Sequence, residues 1–165
     1  MAPQQAIIIS AFACSGKSWL SQHAKQLGYT VVDLDSSAFS FRNGTRNPNF
    51  LQDYIAEIRS KAQQKIILLV STHDEVRKAL VDSRLWYALV YPKKTLKKEW
   101  LQRMVARGSP PQLVAIFDKN WDLFIAQCMN QQGCVHFPLG PQKYLADISR
   151  AIVQGFQSRP KSTKS

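Results

Sequence analysis

The sequence is short of acidic side chains. Its 165 residues include 11 Asp and Glu against 22 Lys and Arg, which gives a formal net charge of +11 at pH 7. This imbalance excludes a strongly acidic surface and favours a polyanionic partner, because basic groups that bind a nucleic acid release its condensed counterions. We therefore expect DNA as a partner. The alternative interpretation of the same charge is a solvated basic surface.

Cysteines and long apolar runs are also scarce. The three cysteines, Cys14, Cys128 and Cys134, have neither the spacing of a metal site nor an even-numbered disulfide framework. A reducing cytoplasm is the simplest setting for such a chain. No apolar run approaches the ~18 residues that span a membrane, and residues 1–5 lack the basic start of a secretory signal. We expect a cytoplasmic protein without membrane contact.

Short apolar runs alternate with helical patterns along the chain. We expect strands at 5–11, 29–34, 65–71, 85–91 and 134–137, and helices at 18–27, 48–63, 74–81, 95–107, 112–130 and 144–156. Such alternation is typical of a mainly parallel sheet with right-handed crossovers and helices on both faces. Ligands of these sheets bind beyond the carboxyl ends of the strands. The domain is expected to cover residues 1–157, with a basic disordered tail at 158–165.

A phosphate-binding loop is predicted between the first strand and the first helix. Gly16, Lys17 and Ser18 match the end of the pattern G-x-x-x-x-G-K-[ST], whereas Ala11 stands at its first glycine. Backbone N–H groups and the helix N-terminus would bind the phosphates of ATP. Lys17 would reach the β- and γ-phosphates, and Ser18 would bind Mg²⁺. The predicted cofactor-binding residues are Ala11, Phe12, Ala13, Cys14, Ser15, Gly16, Lys17 and Ser18.

The order of strand, phosphate loop and helix completes the fold prediction. We expect an α/β, P-loop NTPase-like three-layer sandwich with a mainly parallel sheet and a helical lid. The alternative interpretation of Gly16–Ser18 is an ordinary helix start with an exposed lysine.

Two carboxylates end the second predicted strand. Period-two alternation places Asp33 and Asp35 on the same side of that strand. One carboxylate could accept the proton of an attacking hydroxyl, while the other holds the metal through water or orients the acceptor. We predict both as catalytic residues and Asp33 also as a metal ligand. The alternative is a strand end followed by an ordinary helix cap.

Basic side chains supply the remaining candidates. Arg103 and Arg107 are four residues apart, so they share a helix face, where a lid arginine could neutralise the transferring phosphate. Arg42 and Arg46, close to Phe39 and Phe41, could contact phosphates and bases, or they could be solubilising charges of a loop. His73 could contact substrate or simply begin a helix. Arg42, Arg46 and His73 are the predicted substrate-binding residues.

Parts of the sequence resemble known kinases. The Asp-x-Asp after the phosphate loop resembles shikimate and gluconate kinases over residues 7–35. A likeness over most of the chain is to small phage-encoded P-loop kinases, and it is carried by segments 11–18, 46–50, 71–77, 89–92 and 119–122. Some kinases of that group phosphorylate 5-hydroxymethyluracil within DNA during thymidine hypermodification.

This resemblance implies transfer of the γ-phosphate of ATP to a hydroxyl acceptor, foremost the 5-hydroxymethyl group of 5-hydroxymethyluracil in DNA. For a phage-encoded enzyme the setting would be the host cytoplasm. One alternative is a kinase of free (deoxy)nucleotides or another small alcohol. Another is a non-catalytic nucleotide- or DNA-binding module, which the alanine at position 11 and the lack of an aspartate ending the 65–71 strand would favour.

Overall fold

A parallel sheet forms the centre of the molecule. The computed structural model describes residues 3–34, 41–42 and 45–160. The strands in these ranges are β1 Ile7–Ala11, β2 Thr30–Asp33, β3 Phe41–Arg42, β4 Thr45–Arg46, β5 Ile66–Val70, β6 Tyr87–Pro92 and β7 Val135–Leu139. Five of them form a parallel sheet in the order β2-β5-β1-β6-β7, and β3 pairs with β4 in a separate antiparallel ribbon.

Helices cover both faces of this sheet. The helices of the described residues are α1 Lys17–His23, α2 Phe50–Lys61, α3 Asp74–Asp82, α4 Lys97–Ala106, α5 Pro111–Met129 and α6 Leu145–Gln157. The β1-α1-β2 and β5-α3-β6 connections cross the sheet in opposite directions. Because such crossovers are right-handed, α1 and α3 lie on opposite faces. The contacts agree, since α6 packs against α1 and α2 packs against α3.

The two central strands are apolar along almost their whole length. Every residue of β1 and β5 is buried, as expected for parallel strands that carry helices on both faces. Trp100 and Trp121, from α4 and α5, are among the largest fully buried side chains. Trp121 therefore belongs to the core. Its indole N–H donates to the carbonyl oxygen of Lys94 at 2.9 Å.

Two buried hydroxyls tie together the carboxyl ends of three strands. The hydroxyl of Tyr54 donates to the carbonyl oxygen of Leu34 at 2.8 Å and accepts from the amide of Ser71 at 3.0 Å. The Ser10 hydroxyl donates to the carbonyl oxygen of Ser71 at 2.9 Å. Residues that follow β2 and β5 are thereby fixed against β1. These strand ends are the edge where the sequence predicts a site.

The main departures from the sequence prediction concern short or polar segments. The expected helix 18–27 is α1 followed by a 3-10 turn at Ala24–Leu27, with Gly28 ending it at φ 78°. The β3–β4 ribbon was not predicted, because strands of two residues are too short to show alternation.

Arg159, which the sequence predicts to lie in a disordered tail, is packed, since its guanidinium covers Phe156. Residues 161–165 lie outside the described part. No described helix is both long enough and apolar enough to cross a bilayer.

Tyr54 and Tyr87 provide a matched test of the hydroxyl tie. The Tyr87 hydroxyl is buried beside the Cys134 thiol and, unlike that of Tyr54, makes no hydrogen bond to a backbone group of the described residues. We predict that Tyr54→Phe lowers the free energy of unfolding by about 1–3 kcal/mol, because it leaves two backbone groups unpaired. Tyr87→Phe is expected to be neutral or slightly stabilising. Urea denaturation of both variants measures the difference, and equal losses would contradict this assignment.

Candidate active site

The loop between β1 and α1 has positive φ at two residues, neither of which is Ala11. Ala11 is still part of β1, paired with Val90, and lacks the positive φ that would demand glycine. Positive φ occurs instead at Cys14, 62°, and Gly16, 91°. An alanine at position 11, where the pattern G-x-x-x-x-G-K-[ST] has its first glycine, is therefore compatible with the backbone of this loop. Gly16 is the position where glycine is needed, since a Cβ there would also lie 3.0 Å from Cδ1 of Tyr144.

The carbonyl groups of this loop all face the protein scaffold. Each carbonyl oxygen of residues 12–15 accepts a hydrogen bond. Ser15 Oγ donates to the carbonyl of residue 12 at 2.6 Å, and Trp100 Nε1 donates to that of residue 13 at 2.8 Å. Arg103 Nη1 donates to the carbonyl of residue 14 at 3.3 Å, and Leu145 N donates to that of residue 15 at 2.8 Å. In a trans peptide the following N–H points the opposite way. The amides of residues 13–16 are thus directed away from the groups that bind the loop carbonyls.

These amides are available to a ligand. The N–H groups of residues 13–18 make no hydrogen bond with any described residue, and those of Lys17 and Ser18 begin α1. Such a row of donors at a helix N-terminus attracts phosphate oxygens. Phe12 is an exception among the predicted contacts, because its amide donates to the carbonyl oxygen of Val90 at 2.9 Å. The Phe12 side chain packs against Phe117 and Trp121 in the core.

Arg103 joins the phosphate loop to the turn that precedes α6. Its guanidinium also donates to Lys143 O and Glu99 Oε2, at 2.9 and 3.0 Å, and its side chain is only 10% exposed. The rings of Trp100 and Tyr144 lie on it, each 3.9 Å from Cζ. With both faces of its guanidinium covered and hydrogen bonds to Cys14, Lys143 and Glu99, Arg103 supports the loop. Its role as a catalytic lid arginine stays a prediction.

Arg107 has a different environment from Arg103. It caps the C-terminus of α4 with an exposed side chain, and Nη1 lies 3.8 Å from Sγ of Cys14 in the phosphate loop. Of the two predicted lid arginines, Arg107 is the one placed to approach a phosphate bound by the loop. Sequence spacing showed that they share a helix face but could not show how differently they are engaged.

Asp33, the described member of the predicted carboxylate pair, is separated from the phosphate loop by one strand. Asp33 is exposed at the end of β2, and β5 lies between β2 and β1. Two strand spacings place β2 about 10 Å from β1. Asp33 therefore stands on a strand that is not adjacent to β1, the strand that leads into the phosphate loop. In the described residues no cluster of three or more His, Cys, Asp or Glu could hold a metal. Asp35 lies outside the described residues.

The predicted substrate-binding residues have separate positions. His73 is exposed and begins α3, as its alternative interpretation had it. Arg46 is exposed in β4, whereas only the backbone of Arg42 is described.

Sequence reasoning missed Arg77, which is buried and donates to Thr72 O at 3.0 Å and to Gln131 Oε1 at 2.7 Å. Arg77 fixes the segment between β5 and α3, and no local pattern distinguishes it from an exposed helical arginine.

The loop's Cys14 and the buried Cys128 differ in setting. Burial raises the pKa of the Cys128 thiol to about 11, so it stays protonated near neutral pH. Cys14 is partly exposed within the phosphate loop.

Comparison with known proteins identifies the fold. No family model matches the chain, and no curated protein matches it in sequence. The crystal structure of the YorR protein from Bacillus subtilis in complex with phosphorylated GDP matches with a TM-score of 0.59. The match covers 92% of this chain and 95% of that chain, at 13% sequence identity. The chain has a P-loop fold. The predicted three-layer α/β architecture is confirmed, and at this identity the likeness shows the fold alone.

Replacing Arg103 and Arg107 by alanine should change the free energy of unfolding by different amounts. We predict that Arg103→Ala lowers the free energy of unfolding by about 2 kcal/mol, because it removes loop hydrogen bonds and a guanidinium stacked between two rings. Arg107→Ala, which removes an exposed side chain, should change it by less than about 0.5 kcal/mol. Guanidinium denaturation followed by far-ultraviolet circular dichroism measures both. Equal losses would contradict the supporting role of Arg103.

Proposed function

We propose that the chain is an ATP-dependent kinase that transfers the γ-phosphate to an alcohol. The observation that carries this proposal is the row of unbonded amides at residues 13–18, with Lys17 at its end and Arg107 nearby. These groups suit a chain of phosphates, with Lys17 on the β- and γ-phosphates and Arg107 on the charge that develops during transfer.

The chemistry asks little more of the protein. The acceptor oxygen attacks the γ-phosphorus as the bond to the β,γ-bridging oxygen breaks, ADP leaves, and the hydroxyl proton passes to a carboxylate. Asp33 and Asp35 are the candidates for that carboxylate. The carboxyl end of β5 lies between β1 and Asp33, so an acceptor group would lie beyond that strand end, between the phosphate loop and Asp33.

The few oxygen donors at this site suit Mg²⁺, which usually keeps several waters and uses few protein ligands. Ser18 is exposed at the start of α1, and it could hold Mg²⁺ together with phosphate oxygens and waters, the arrangement this ion favours. Asp33 would act through a water. The ion would neutralise charge on the phosphates, while the backbone amides keep them in place.

The acceptor we propose is the 5-hydroxymethyl group of 5-hydroxymethyluracil in DNA. Exposed basic side chains follow the carboxyl end of β6, the strand next to β1, namely Lys93, Lys94 and Lys98, and Arg46 is exposed in β4. With a net charge of +11 they favour a polymeric anion over a free nucleotide, which needs only a few basic contacts. The likeness to phage-encoded kinases supports the same acceptor.

A labelled-phosphate assay tests the reaction and the acceptor together. With γ-labelled ATP and Mg²⁺, we predict label in duplex DNA that contains 5-hydroxymethyluracil and none in the matched thymine duplex. Lys17→Ala and Arg107→Ala should each lower kcat about 100-fold or more, because each removes charge stabilisation in the transition state. Lys25→Ala is the control for lost charge, since this exposed residue lies at the opposite end of the sheet.

Other outcomes identify the alternatives. Label in free 5-hydroxymethyl-deoxyuridine nucleotides but not in DNA would replace the polymer acceptor with a small one. Asp35→Asn and Asp33→Asn separate a kinase from a binding module: a kinase loses turnover and keeps ATP binding. If neither substitution changes any measured property and no acceptor is labelled, the kinase proposal is wrong.

A further inference from the structure

Three side chains form an ordered stack beside the phosphate loop. The Arg103 guanidinium lies between the rings of Trp100 and Tyr144, and both rings are 3.9 Å from Cζ. Trp100 is fully buried, and Arg103 is held by Glu99 and by two backbone carbonyls. Tyr144 is therefore the outermost member of a rigid stack, and its orientation is fixed before any ligand binds.

Tyr144 is 39% exposed even though one ring face is covered. Arg103 occupies that face, and the Cβ–Cδ1 side of the ring lies against Gly16. The accessible part is consequently the opposite face and the hydroxyl end. Because the side of this ring lies against Gly16, the loop residue before Lys17, its open face lies beside the proposed phosphate site. A nucleobase is the group that a triphosphate would bring there, and bases stack well on tyrosine.

The backbone around Tyr144 is already engaged. The amide of Gln142 donates to Glu99 Oε1 at 3.0 Å, and the carbonyl of Lys143 accepts from Arg103 at 2.9 Å. The amide of Lys143 donates to Gly140 O at 3.3 Å, and that of Tyr144 donates to Asp147 Oδ2 at 2.8 Å. These four backbone groups are therefore not available to read the edge of a base. The exposed Gln142 side chain carries both a donor and an acceptor, so it suits either purine.

We propose that the open face of Tyr144 is the stacking platform for the base of the donor nucleotide, and that it makes the protein tolerant of which purine that base is. Stacking responds to the area of a base, whereas discrimination between adenine and guanine needs hydrogen bonds to their edges. ATP and GTP are therefore comparable donors. This inference rests on the proposed function, because it assigns the base subsite of the same phosphate site.

Calorimetric titration tests the platform without depending on catalysis. The ligands are ATP, GTP and inorganic tripolyphosphate, each with Mg²⁺, and the proteins are the wild type, Tyr144→Leu and Tyr144→Phe. Leucine keeps bulk against Gly16 and Arg103 but removes the aromatic face, whereas phenylalanine keeps that face. We expect wild-type Kd values for ATP and GTP within about 3-fold of each other. Tyr144→Leu should raise both by about 5-fold or more, and Tyr144→Phe should leave them unchanged.

Tripolyphosphate separates a base contact from a structural effect. Its Kd should be the same for all three proteins, because it has no base to stack. An equal rise in its Kd for Tyr144→Leu would show that Tyr144 only shapes the phosphate loop, and would overturn the platform. A wild-type preference of more than about 10-fold for one purine would overturn the tolerance. Failure of the wild type to bind any of the three ligands would overturn the proposed function itself.

Discussion

The phosphate loop keeps its shape because its carbonyl groups are bound from one side. Every carbonyl of residues 12–15 accepts a hydrogen bond from Ser15, α4 or the start of α6. Planar trans peptides then aim the intervening N–H groups the other way. The donors that a phosphate needs are thus arranged by contacts that involve no phosphate. A preformed site of this kind avoids the cost of ordering a loop when the ligand binds.

The same contacts explain why elements distant in sequence meet at the loop. Trp100 and Arg103 come from α4, and Leu145 begins α6, so the helices that follow β6 and β7 both hold the loop that follows β1. Their strands are neighbours in the sheet or one strand apart, and parallel pairing brings their carboxyl ends to one edge. The buried Ser10 hydroxyl adds β5 at that edge through the carbonyl of Ser71. The topology of the sheet therefore determines which side chains can support the loop.

Much of this arrangement could be predicted from sequence. The β-branched run before Gly16–Ser18 predicts the P-loop fold. The alternation of apolar runs with helical patterns predicts the succession of strands and helices along the chain. The absence of positive φ at Ala11 could not be predicted, because it depends on pairing with Val90. Spacing also could not distinguish Arg103 from Arg107, since the difference lies in partners from the 140–144 turn. The intervening position of β5 between β1 and β2 likewise follows from the crossovers and not from any motif.

Backbone nuclear magnetic resonance can show whether the amides of residues 13–18 bind phosphate. In a ¹H–¹⁵N correlation spectrum titrated with ATP and Mg²⁺, the account predicts that the largest shifts occur at the amides of residues 13–18. The Phe12 amide, which is bonded to Val90, should shift less. Saturable ATP binding that leaves residues 13–18 unshifted, or shifts a different surface instead, would contradict the account.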